Sequence, residues 1–133
     1  MANFVFNIAK GRVIELYARV KNNDPANSAI VLVPLETAGL ENDSDLIDKA
    51  TLAAVLSGTT NEQATMGRKI LTDAEIAAVP APDNANDWYE VSLPDVTWAN
   101  ASGDPISKIL VGFIPDTTGG TDADIIPMTA FDK

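Results

Sequence analysis

Carboxylates are the main reactive groups in this sequence: nineteen Asp and Glu stand against nine Lys and Arg, with no histidine and no cysteine. Without cysteine there is neither a thiol nucleophile nor a disulfide. Without histidine the usual neutral-pH base and the commonest metal ligand are missing, so a Ser-His-Asp arrangement cannot be assembled. Paired acids remain as a route to glycoside hydrolysis, in which one carboxyl donates a proton and the other acts as nucleophile or base. Nineteen acids in 133 residues make chance pairs inevitable, so their number is no signal. A carboxylate-dependent glycoside hydrolase is the least favoured reading. The densest group is Asp116, Asp122 and Asp124 in DTTGGTDAD, whose oxygens could converge with turn carbonyls on calcium. Its spacing is not that of an EF-hand, and Asp with Gly is also the composition of a solvated hairpin turn. Gly119-Gly120 lacks the GxxxxGK or GxGxxG context of a phosphate loop. The expectation is a protein with no enzymatic activity and no cofactor, a calcium-binding β module with ligands in the 116–124 turn being the alternative.

Charge narrows the partners. The net charge is −10, and its distribution is uneven. Lys10, Arg12, Arg19 and Lys21 face only Glu15 in the first 21 residues, a segment of +3. The rest carries five bases against eighteen acids, or −13. Such a body repels phosphate backbones, so no nucleic-acid partner is expected. The basic end either pairs with the chain's own acids, the favoured reading, or meets an acidic protein surface. No apolar stretch approaches the roughly 20 residues of a membrane span, so no membrane partner is expected. The start, MANFVFNIAKGR, has no basic run before its apolar residues and no cleavage site, which predicts synthesis and retention in a cytosol until some assembly step.

The elements that must position these residues are short. Alternation predicts a strand over residues 3–9 and a turn at Gly11. Residues 12–21 fit a strand face, and also a helical stripe through Val13, Leu16, Tyr17 and Val20; the helix is chosen because Arg, Glu, Leu and Ala fill the unbranched positions. SAIVLVPLE (28–36) reads as a strand buried on both faces, with Pro34 pushing its far end out of the ladder or onto an edge. DLIDKATLAAVLS (45–57) reads as the strongest helix, with Asp45 and Asp48 at its start and Gly58 just past its end. Further short strands are predicted at 68–71, 88–93, 96–99, 107–114 and 125–131, with a capped helical turn opening at Thr72-Asp73-Ala74-Glu75. If 88–93 is a strand, Trp88 and Tyr89 point to opposite faces, one into the core and one half exposed. The fold class is mainly β, a β-sandwich or curled antiparallel or mixed sheet, with one clear helix and one or two short ones. Residues 1–133 form a single structural domain. Ile30, Leu32, Leu52, Leu56, Ile109, Val111 and Phe113 are the expected core.

Three stretches carry a resemblance: FNIAKGRVIELYARVKNNDPANSAIVLVPL (6–35), GRKILTDAEIAAVPAPDNANDWYEVSLPDVTW (67–98) and SKILVGFIPDTTGGTDADIIPMTAFD (107–132). Together they resemble small virion-accessory proteins of tailed phages, the head decoration or cement proteins. The resemblance lies in structural segments rather than in a catalytic motif. It implies a non-enzymatic virion structural protein, an oligomer on the outer surface of the head, stabilising contacts between shell subunits. The partner would be the major capsid protein or another virion structural protein, with a neck or tail location as the alternative. Proteins of this kind continue past the position of Asp132, so a short member and a shortened chain both stay open. The expected docking surface is Phe4, Phe6, Lys10, Arg12, Ile14, Tyr17 and Arg19, where aromatic, aliphatic and basic side chains meet in the net-basic segment.

Overall fold

The structure is a computed structural model and describes residues 2–88 and 90–133. Its frame is one five-stranded antiparallel sheet in the order β1-β5-β4-β2-β3. The strands are β1 (Phe4–Val5), β2 (Ala29–Glu36), β3 (Lys69–Leu71), β4 (Ile106–Ile114) and β5 (Ile126–Asp132). The helices are α1 (Val13–Lys21), α2 (Asp43–Leu46) and α3 (Leu52–Leu56), with a 3₁₀ turn at Asn7–Ala9. Both edge strands are short, which limits the length of unpaired backbone on offer to other chains.

The two apolar runs form the centre of the sheet because no polar face interrupts them. β2 pairs with β4 from Ala29–Ile114 to Glu36–Ile106, and seven of its eight residues are buried. Val31, Val33, Leu35, Leu110 and Ile114 project to one face, where Phe6, Leu46 of α2 and Leu52 and Val55 of α3 cover them. Ile30, Leu32, Val111, Phe113 and Met128 project to the other, against Leu16, Tyr17 and Val20 of α1 and Ile76. The helical stripe read from 12–21 is therefore the seam of α1. Of the expected core, Ile30, Leu32, Leu52, Val111 and Phe113 are buried, whereas Leu56 and Ile109 are half-buried.

Several expectations need correction. The sandwich alternative gives way to a single sheet, and the strand predicted at 3–9 ends after Val5, where the chain turns into 3₁₀. The helix predicted at 45–57 is two short helices. Thr51, in an extended conformation, starts the second one, and its side chain accepts from the Ala54 N–H. An N-cap of this kind cannot also lie inside a continuous helix. Gly58 does not adopt a left-handed cap conformation. A side chain there would come within 2.9 Å of the Glu41 carboxylate, so close approach is its use. Pro34 stays in the ladder with β4, opposite Ile109. Its carbonyl accepts from the Gln63 N–H on the other side, beyond the end of β3; the reciprocal bond that proline cannot donate is absent, and the Gln63 carbonyl accepts from the Gly67 N–H instead. The Glu75 carboxylate accepts from the Thr72 N–H, as a capping box requires, but the Glu75 N–H bonds the Thr72 backbone carbonyl and not its hydroxyl, so the segment closes a turn and not a helix. Residues 90–93 and 96–99 form no strand. The Tyr89 expectation lies outside the described residues.

Candidate interaction site

The three acids offered for calcium do not converge as a ligand set. Asp116 accepts from the Thr118 N–H and hydroxyl, which hold its carboxyl below the usual carboxylate range. Asp124 accepts from the Thr121 N–H at 2.9 Å. Asp122 is engaged by Arg68, whose guanidinium also meets Glu62 through two 2.7 Å contacts. Arg68, Asp116, Asp122 and Asp124 all line one cleft of about 190 Å³, so the positive charge there is a guanidinium. Among the described residues, no group of three or more acids is placed to hold a metal ion.

Arg68 ties the loop before β3 to the loop before β5, and its two carboxylates raise its pKa still further. Its hydrogen bonds pull the Asp122 carboxyl below its ordinary value. A carboxyl depressed in the folded state stabilises the fold above its unfolded pKa, and that contribution disappears as pH falls through the folded one. Arg68→Gln should therefore cost about 1–2 kcal/mol at neutral pH, more than an ordinary surface pair because both contacts are bidentate. The gap between wild type and variant in urea unfolding should narrow below about pH 4, near the unfolded Asp pKa. A gap independent of pH would remove the ion pair as its cause.

Lys108 is the residue that sequence reading missed. It is fully buried in β4, with its ammonium 2.5 Å from Asp132, 3.2 Å from Asp43 and 3.2 Å from the Ala2 carbonyl. It also lies 5.2 Å above the Phe4 ring centroid. Its position in the alternation of SKILVGFI, in step with Leu110 and Ile114, was the available signal for an inward side chain. The cluster joins the N-terminus, α2 and β5, which is a structural task.

The proposed docking residues separate on folding. Phe6 and Tyr17 are buried on opposite faces of the sheet, and Phe4 packs edge-on against Phe6 at 5.1 Å. They cannot form one aromatic centre at the surface. That is a correction: Phe6, at the start of the 3₁₀ turn, packs in the layer of α2 and α3, whereas α1 carries Tyr17 onto the other face. Lys10 and Arg19 stay exposed, while Arg12 and Ile14 are half-buried. Arg12 and Arg19 share the Glu15 carboxylate, which they hold below its ordinary pKa.

The open surface lies elsewhere. Trp88 is 57% exposed at the end of a loop in which Asp83 accepts from the Ala85 and Asn86 backbones and the Asn86 side chain. Asp83 and Trp88 also exchange both backbone hydrogen bonds, so the loop is braced from two directions. Asp83, Trp88, Glu90 and Ser92 share a groove of about 470 Å³. Val91 and Leu93, the alternate residues of the same extended segment, line a second groove of about 390 Å³ with Val13, Tyr17, Met128 and Phe131. Glu90 and Ser92 thus face one groove and Val91 and Leu93 the other, an alternation kept although 90–93 form no strand. Asp83 and Glu90 beside a tryptophan have the outline of a sugar site. However, the Asn86 and Ala85 bonds hold Asp83 below the usual carboxylate range, whereas the acid of a glycosidase needs a raised pKa.

The sheet and its two covered faces define a mixed α/β protein built on five antiparallel strands with a few short helices. No protein-family model matches the chain, and comparison with curated proteins and with solved structures finds no match.

Proposed function

We propose that this chain is a non-enzymatic structural protein of a tailed-phage virion, a decoration or cement protein that stabilises contacts between shell subunits. The observation that carries the reading is the exposure of Trp88 and Phe131 beside open grooves, while Arg68, Lys108 and their acids are consumed in internal ion pairs. Exposed aromatics at concave surfaces are the usual anchors of protein interfaces. The sequence resemblance to virion-accessory proteins supplies the setting, and attachment in many copies would let a modest single contact act through local concentration. A neck or tail position is the alternative within the same class. Its partner would be the major capsid protein or another virion protein, and Lys10, Arg12, Ile14 and Arg19 are what folding leaves of the expected docking surface.

The test is a cryo-electron-microscopy map of purified particles made with this gene and without it. Ordered copies on the shell, with Trp88, Phe131 or the exposed Lys10 and Arg19 at a subunit contact, are the expected result. Copies attached through the 116–124 turn would keep the decoration role and remove the docking assignment. A chain found only in the cytosol of infected cells would overturn both.

A further inference from the structure

The sheet face covered by α1 carries three kinds of surface side by side. The first is basic: Lys10 is exposed, and Arg12 and Arg19 have one carboxylate, Glu15, between them. The second is the apolar groove of Val13, Tyr17, Val91, Leu93, Met128 and Phe131, in which Phe131 is 43% exposed. The third is the acidic groove of Asp83, Trp88 and Glu90. It belongs to a stretch, residues 70–107, with seven acids and neither Lys nor Arg. These surfaces are held next to one another. The Tyr17 hydroxyl donates to the Ala77 and Ser92 carbonyls at 2.6 and 3.3 Å, and both of those residues line the acidic groove. Lys21 donates to the Asp73 and Ile76 carbonyls, fixing the far end of α1 to the same segment.

We propose that this face binds a second copy of the chain about a two-fold axis. The basic side of α1 in each copy meets the Trp88 groove of the other, and the apolar grooves are covered between them. A two-fold interface joins the same patch to itself, so it requires a patch that is self-complementary. Adjacent basic and acidic surfaces meet that requirement, because rotation brings each opposite its counterpart. An exposed indole flanked by carboxylates suits a Lys or Arg side chain, through stacking on the ring and through charge. The apolar groove supplies the area that excludes water around those contacts. This proposal does not rest on the virion reading: both draw on Trp88, Phe131 and the basic side of α1, but a pair formed in free solution is measured whether or not the chain is found on particles.

The experiment is sedimentation velocity on the full chain over a range of concentrations at physiological ionic strength. Wild type is expected to show a concentration-dependent dimer. Trp88→Ala should weaken it at least tenfold. Lys10→Glu with Arg19→Glu should give a monomer, and Glu90→Lys should weaken dimerisation, each with an unchanged far-ultraviolet circular dichroism spectrum as the control for folding. Mixing those two charge variants should restore association as a heterodimer, because one then presents acid at both patches and the other a more basic surface. Wild type that stays monomeric at every accessible concentration overturns the proposal. So does a dimer that all these substitutions leave unchanged, or a mixture that fails to associate.

Discussion

Replacing Lys108 by alanine is expected to destabilise the protein by about 3–5 kcal/mol, toward the lower end because its partner carboxylates keep some contact with water. The side chain is fully buried, whereas the Asp43 and Asp132 side chains are 29% and 34% exposed. Removing the ammonium leaves two negative charges facing each other across the space it occupied, with the Ala2 carbonyl also losing its donor. The loss therefore combines charge repulsion, an unsatisfied acceptor and a cavity. Lys108→Met separates these contributions, since it keeps most of the volume and removes only the charge. Adding Asp43→Asn and Asp132→Asn to Lys108→Met should recover much of the lost stability, as neutral replacements of buried ion pairs commonly do. Denaturant midpoints of the three proteins give the comparison. A cost below about 1 kcal/mol for Lys108→Ala would mean that the cluster does not hold the termini to the sheet.

The second large effect belongs to the centre of the sheet. Phe113→Ala should cost about 3–5 kcal/mol and Leu32→Ala about 2–5 kcal/mol, because each removes burial and leaves a cavity that the sheet cannot close. Both side chains are buried in the layer under α1, and their backbones lie in paired positions of β2 and β4. Hydrogen-bonded neighbours on either side prevent those strands from moving inward. Ile70→Ala in edge strand β3 is the control. Ile70 is 40% exposed, so its truncation should change stability by no more than about 0.5 kcal/mol. Urea unfolding of the three variants tests the assignment, which fails if Phe113→Ala and Leu32→Ala both fall below about 1 kcal/mol.

Local pattern accounts for more of the frame than of the surface. The runs in 28–36 and 107–114 contain enough consecutive apolar residues that only a central position, covered on both faces, removes them from water. The stripe in 12–21 fitted a strand face as well as a helix with one buried side, and the fold takes the helix as α1. In contrast, 45–57 carries a helical pattern that the fold divides. The Leu52 and Ala53 N–H groups bond to the Ile125 and Asp122 carbonyls, and such long-range partners leave no trace in a local window. Residues 90–93 alternate as a strand does, yet the alternation serves two grooves instead of two faces of a sheet.

Composition also accounted for the missing chemistry, because a side chain that is absent from the sequence is absent from every fold it could adopt. No arrangement of these residues supplies an imidazole or a thiol. Which carboxylates are free was beyond composition. Asp122 is neutralised by Arg68, 54 positions away, and Asp132 by Lys108, whose own sequence neighbours include no acid within three residues. The same holds for the aromatics. Phe4, Phe6 and Tyr17 stand close together in the chain, but Phe6 and Tyr17 pack on opposite faces of the sheet, while Trp88, in a distant loop, and Phe131 of β5 stay at the surface. Periodicity reports which side of its own element a residue takes. Which layer covers that side depends on contacts between distant segments, and those are made only when the sheet closes.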